Sequence, residues 1–352
     1  MVQLNEEIHK VIVSTPARFV GSYMSEDIAV NISFAGKEKL FFDTTENPNS
    51  RTFLVITFRY VHDGSMVLKD LSGYGDFVCS ILSLLYGKEF KNHGFLESYG
   101  VHRTPNLALS SNEYYYQPQY NFQPRKDLSI PLDLSCIKLI EPLFLDNELS
   151  DSFRQMIIAV GKFYNRALSI FPTQPELAFL DLITCGEIIS NFNEEQYTEE
   201  QLYDEHLLRN FERILTLEQG DRIVRDLKSR LFQVKRKFYY SLIELLNDNF
   251  YENTEAIHNV GIITKDTIEQ NIKFAYDLRS LYVHTGLEFG ERIIPIKNMQ
   301  NEIVIGEVNP SVQRAKRALN NTLTFTGLER IIRYALLKLI HNNGVKINDK
   351  LD

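Results

Sequence analysis

The stretch 266-DTIEQNIKFAYDLRSLYVHTG-286 decides how the second half of this chain is read. Ile268, Ile272, Ala275, Leu278 and Tyr282 recur at steps of three and four, which places them on one stripe of an α-helix. Asp266 can cap its start, with Glu269 three residues on. Gly286 suits the left-handed position that ends a helix. Near that end stand an arginine and a histidine, Arg279 and His284, with four residues between them.

Outward from this helix, everything from about residue 150 onward reads as helical. The segment 146-DNELSDSFRQMIIAVGKFYNRALSI-170 has apolar residues at three- and four-residue steps. In 173-TQPELAFLDLITCGEIISNF-192, Pro175 takes a first-turn position before an almost wholly apolar body, the mark of a buried helix. Next come an acidic amphipathic stretch, 194–215, and a long basic helix, 221–248, that can break near Phe232. The segment 292-RIIPIKNMQNEIVIGEV-308 reads as a small β-hairpin turning around 297-KNMQN-301, and 310–340 as one final helix.

The first 130 residues read mostly as strands. In 27-DIAVNISF-34 the apolar residues Ile28, Val30, Ile32 and Phe34 alternate, and 51-RTFLVITFRYV-61 is rich in β-branched and aromatic residues behind the turn-forming 46-ENPNS-50. One helix interrupts them, 76-DFVCSILSLLYGKEF-90, with Asp76 as cap and Gly87 as stop. The expected fold is therefore α+β, with a β-rich domain over 1–145 followed by an all-α bundle with a small hairpin over 146–352.

Bulk properties narrow the functional classes. At 352 residues the chain has room for two cores, and 44% hydrophobic with 24% charged residues is ordinary for a globular protein. A net charge of -8 argues that any nucleic-acid site is a local basic patch. The three cysteines, Cys79, Cys136 and Cys185, lack metal-ligand spacing, and their odd number fits a reducing, cytoplasmic setting. The N-terminus reads as no secretory signal, and no run approaches the roughly 18 apolar residues of a membrane span. No phosphate-cradling loop is present, since 72-SGYGDF-77 lacks the lysine. The adjacent His62 and Asp63 lack the further ligands a metal site needs, so no metal and no cofactor is expected.

On spacing alone, Arg279 is a surface arginine and His284 a residue closing the last turn, where the helix dipole favours a cation. Five helical steps leave two side chains about 140° apart, so the pair converges only if the helix loosens at its end or if a second copy contributes. The wider sequence resembles the HEPN superfamily, helical domains whose ribonuclease members carry an Arg-polar-x-x-x-His motif, which 278-LRSLYVHTG-286 matches with Ser280 in the polar slot. A buried helix (176–190) and a basic one (226–240) precede it in the order of that family, and the likeness covers roughly 150–342. The segment 80-SILSLLYGKEFKNHGFLESYG-100 is similar to the one that precedes the HEPN domain in ApeA-like proteins of anti-phage defence.

The resemblance implies metal-independent cleavage of RNA by its own 2′-hydroxyl in a homodimer paired across the motif helix, under a phage trigger or regulatory partner. His284 would handle protons and Arg279 would hold the scissile phosphate. Ser280 can support the phosphate, or merely face solvent. Glu187, in an apolar helix, needs a partner, and Arg279 is a candidate. Lys228, Arg230, Lys235, Arg236 and Lys237 can hold RNA phosphates or form a solvated face. The aromatics of 112-NEYYYQPQYNFQPRK-126 (Tyr114, Tyr115, Tyr116, Tyr120, Phe122) read as a packed loop rather than a base-stacking platform. The competing reading is a non-catalytic HEPN-like dimerisation or nucleic-acid-binding module.

Overall fold

Alternation of apolar residues produces strands in the first half as expected. A computed structural model describes residues 6–34, 51–61, 70–105, 107, 116–144, 149–192, 197–231, 234–306 and 313–352. Strands β1 (Glu6–Thr15), β2 (Ser22–Met24), β3 (Ile28–Phe34) and β4 (Thr52–Val61) come first. Helix α1 (Ser72–Tyr86) follows, then β5 (Lys91–Ser98) and β6 (Val101–His102). They make one antiparallel sheet in the order β2-β3-β4-β1-β5-β6, with β1 and β4 paired along their whole length from Glu6↔Val61 to Thr15↔Thr52. His9, Val11 and Val13 of β1, with Ile28 and Val30 of β3, form the buried face. Helix α1 covers β1 and β5.

Helix α1 starts earlier than Asp76. The Asp70 carboxylate accepts from Ser72 N at 2.9 Å, and Asp76, inside the helix, accepts from Asn92 instead. Gly87 ends the helix as expected, left-handed at φ 61°. A Cβ there would lie 2.7 Å from Arg125 Nη1 and 2.9 Å from Arg333 Nε.

The second half is helical. Helices α2 (Asp151–Ile170), α3 (Pro175–Phe192), α4 (Glu199–Leu202), α5 (Glu205–Leu215), α6 (Gly220–Arg230), α7 (Val234–Glu244) and α8 (Asp248–Glu252) lead to α9 (Ile268–Thr285), α10 (Gln313–Leu319) and α11 (Phe325–Asn342). The Ser150 hydroxyl caps α2, and Pro175 opens α3. Helix α3 is central: it packs on α2, α7, α9 and α11, while α2 also touches α1. One continuous apolar core therefore runs from the sheet through α1 and α2 into the bundle. The boundary expected at 145/146 falls outside the described residues. Within the described residues the fold class is the expected α+β.

Two expected elements differ. The hairpin over 292–308 is not formed in its described part, which follows the 3-10 turn Gly290–Arg292 and holds the isolated bridge Ile303↔Leu323. Pro295 has no N–H to give a ladder, and the Asn301 side chain closes the loop by accepting from Ile296 N at 2.7 Å and donating to Ile303 O at 2.8 Å. Glu302 is fully buried and accepts from the backbone N–H of Glu255 and Ile263. The final helix is two helices, because Val304 N bonds Thr322 O and Thr324 N bonds Glu302 O, after which Thr324 caps α11. The basic stretch is likewise α6 and α7, flanking the expected break, with Phe232 outside the described residues.

Helix α11 is buried all round despite the charges in 327-GLERIIRY-334. Glu329 receives Arg125 Nη1 and Nη2 at 2.8 and 2.7 Å and the Tyr164 hydroxyl. Arg125 Nε also meets Glu255 at 2.8 Å. Arg330 pairs with Glu302 at 2.7 Å and stacks over Phe250. Arg333 donates to Asp127 at 3.1 Å and caps the end of α1 through the carbonyls of Leu84 and Leu85. Burial alone would raise the Asp127 carboxyl, but Arg333, Arg125 and Arg330 outweigh it and hold it below the ordinary carboxylate value.

Glu329→Ala leaves a fully buried guanidinium half-paired and is expected to cost about 3–5 kcal/mol, read by urea denaturation. Arg125→Met with Glu329→Leu should recover much of that loss; a single-variant loss below about 1 kcal/mol contradicts the network's role. Because the folded Asp127 value lies below its unfolded one of about 3.9, its contribution is present above that pH and drains as pH falls through the folded value. Asp127→Asn should flatten this acid limb of the stability curve.

Candidate functional site

Helix α9 keeps its α-helical bonding to the end. The Thr285 hydroxyl donates to Leu281 O at 2.6 Å, Gly286 N donates to Tyr282 O at 2.8 Å, and Gly286 is left-handed at φ 67°. Its start differs from expectation: Thr267 precedes the first turn without a side-chain cap, and Glu269 pairs with Lys273 instead. Ile268, Ile272, Ala275 and Leu278 are buried, and Tyr282 is half-buried edge-on to Phe289. Since the helix does not loosen, Arg279 and His284 stay about 140° apart within one chain.

Arg279 lies on the flank that faces α3. Its Nη2 is 3.8 Å from Glu187 Oε1, and its guanidinium lies 5.8 Å from the Tyr276 ring. The Tyr276 hydroxyl donates to the same carboxylate oxygen at 2.9 Å. Burial, reinforced by Glu187, pushes the Tyr276 phenol up to about 12. The expected partnership of Glu187 and Arg279 therefore exists as a half-buried contact of three side chains. Helices α3 and α9 run antiparallel, because Glu176 at the start of α3 accepts from Gly290 N just beyond α9.

His284 is exposed in the last turn and makes no hydrogen bond or ion pair among the described residues. Ser280 is half-buried. Val283, beside His284, is 54% exposed, and Leu177, at the same end of the bundle, is 41% exposed.

Among the described side chains, the basic residues of α6 and α7 engage different partners. Lys228 of α6 pairs with Glu199 and lies 5.3 Å from the Phe211 ring, within a small separate cluster. The side chain of Arg230 is outside the described set. Arg236 donates to Gln201 O at 3.3 Å, and Lys237 is half-buried. Lys235 reaches α9, where it pairs with Asp277 at 2.7 Å.

That pair lies in a cleft of about 850 Å³ between α7, α9 and α10, which Lys273, Lys316 and Arg317 also line. Arg317 stands 5.9 Å over the Phe274 ring. Sequence reading missed these three cations, which come from two separate helices, α9 and α10. Helical spacing links the cleft to the motif. His284 lies seven residues beyond Asp277 and eleven beyond Lys273, each within about 20° of the same face, and about 10 Å along the axis from Asp277.

In the aromatic segment, Tyr120 is buried and donates to Leu168 O, and Arg18 lies 5.1 Å over Phe122. Tyr114, Tyr115, His62 and Asp63 lie outside the described residues. No group of metal-ligating side chains occurs among the described residues, nor does any of their helices suffice to cross a membrane. Compared with known proteins, the chain matches no family model, no curated protein and no solved structure.

Glu187→Gln removes the anion beside Tyr276 but not the burial. The phenol should then titrate below about 12 yet above its ordinary value, read by difference titration of phenolate absorbance. The half-exposed ion pair should cost under about 1 kcal/mol on removal.

Proposed function

We propose that the protein is a cytoplasmic, metal-independent endoribonuclease of the HEPN type that acts as a homodimer. The observation that carries this reading is the placing of His284. It stands exposed at the end of a regular helix, in line with a cleft that Lys273, Lys316 and Arg317 make cationic. An RNA backbone held in that cleft by its phosphates would be led toward the imidazole.

The reaction requires a base, an acid and a cation. One imidazole takes the proton of the 2′-hydroxyl as its oxygen attacks phosphorus. The O2′–P bond forms, the P–O5′ bond breaks, and a protonated imidazole supplies the proton that O5′ needs. An arginine fork stabilises the crowded phosphorane through two of its oxygens. A single chain offers one group of each kind on different flanks of α9, so a second copy must bring its own helix end to the same phosphate. The exposed Val283 and Leu177 at this end of the bundle are apolar surface that such a copy would cover. Restraint of the activity until a trigger such as phage infection fits an enzyme that would otherwise degrade its own cell's RNA.

A non-catalytic module remains the second reading. It is favoured by the engagement of Arg279 with Glu187 and Tyr276, which gives the arginine a structural task.

Purified protein is expected to cut mixed RNA in the presence of EDTA and to leave cyclic-phosphate ends. Arg279→Ala and His284→Ala should each slow cleavage by about 100-fold or more. Cleavage by either variant at the parent rate sinks the enzyme reading, and RNA binding or dimerisation without cleavage selects the module. Lys316→Glu with Arg317→Glu should raise the RNA concentration for half-maximal rate by about tenfold and flatten its salt dependence.

A further inference from the structure

A second cleft, away from the motif helix, combines features that the nuclease reading does not use. It has a volume of about 400 Å³ and lies between the loop holding Tyr116, Asn121 and Lys126 and the loop holding Lys297, Asn298 and Gln300. That size suits a small molecule.

Gln300 is the most constrained residue in its wall. Its backbone has φ 52°, a left-handed value that costs a side-chain-bearing residue energy and persists where the surroundings enforce it. Only 6% of the residue is exposed. Its Nε2 donates to Tyr116 O at 2.8 Å and Lys297 O at 3.4 Å, which fixes the orientation of the amide. The carbonyl oxygen Oε1 is buried and meets no donor among the described residues. A buried acceptor held this way has a capacity that a donor from outside the protein can fill.

Two lysines line the cleft. The Lys126 ammonium meets the main-chain carbonyls of Glu255 and Ala256 at 3.1 and 3.5 Å, not a carboxylate. The one carboxylate in the wall, Glu255, is already taken by Arg125. Lys297 adds a second cation, 5.8 Å from the centre of the Tyr116 ring. A half-buried tyrosine, amides that can read both donors and acceptors, and two ammonium groups are together the complement of a planar heterocycle joined to an anionic group.

We propose that this cleft binds a mononucleotide. Its base stacks on Tyr116 and donates to Gln300 Oε1, Asn298 and Asn121 contact the remaining ring edge or ribose, and Lys126 and Lys297 take the phosphate. Binding would couple the two loops, which lead into the buried ion pairs through Arg125 and through Glu302. The site stands independently of RNA cleavage.

Isothermal titration of the full chain with AMP, GMP and ATP tests this, with ribose 5-phosphate and inorganic phosphate as controls. At least one nucleotide should bind with Kd below about 1 mM. Lys126→Ala and Gln300→Ala should each weaken it by about tenfold or more. Circular dichroism checks that Gln300→Ala folds; Asn298→Ala, at an exposed position, supplies the independent variant. An Arg279→Ala, His284→Ala double variant should bind as the parent does, which separates this cleft from the motif site. Absence of nucleotide binding, equal binding of ribose 5-phosphate, or indifference to both Lys126→Ala and Asn298→Ala overturns the proposal.

Discussion

The bidentate pair of Arg125 with Glu329 is the constraint to which the rest of the structure is tied. Both side chains are excluded from water, and around them Lys88, Arg330 and Arg333 stand with Asp127, Glu255 and Glu302. Desolvating one such ion costs several kcal/mol, so the cluster is tolerable only when every charge has its partners in place. Lys88 has no carboxylate of its own among these contacts; the oxygens of Asn121 and Pro118 hold it, and burial followed by the nearby Arg125 drives its ammonium well below the usual lysine value. Satisfying all of these groups requires the end of α1, the 116–132 segment, the loops around 255 and 302, and α11 to meet in one arrangement.

The motif helix inherits its position from that arrangement. Helix α11 is enclosed because its charges are spent inward, and α3 packs against it on one side and against α9 on another. Glu187 of α3 then reaches Arg279 and Tyr276 of α9. A chain of packed helices thus runs from the buried ions to the arginine, while His284 projects beyond it into solvent. Rigid elements of this kind hold a functional side chain more closely than a loop does.

Much of this was legible in sequence wherever a local rule governed. Alternation marked β3, β-branched and aromatic content marked β4, Gly87 and Gly286 marked two helix ends, and Pro175 marked a helix start. The sequence failed where tertiary partners decided. Residues 292–306 look like a hairpin by composition, yet Pro295, the loop-closing Asn301 and the buried Glu302 commit them to an irregular course. The burial of Glu329, Arg330 and Arg333 leaves no mark in the sequence, because nothing local announces that Arg125, Glu302 and Asp127 will meet them. The basic cleft was hidden for the same reason: Lys235, Lys273 and Arg317 belong to three segments that only the fold assembles. For Glu187 the sequence named Arg279 as one candidate partner, since a carboxylate in an apolar helix must find a cation or a donor.

Gly87 carries a consequence for motion. At this residue α1 hands over to β5, and the groups crowding it are the side chains of Arg125 and Arg333 rather than solvent. A hinge needs room for its dihedral angles to swing, and here the space is filled by ions that cannot be withdrawn singly. The sheet is therefore coupled stiffly to the bundle through this junction, so a load applied to its strands would reach the helices as strain instead of being absorbed by a pivot.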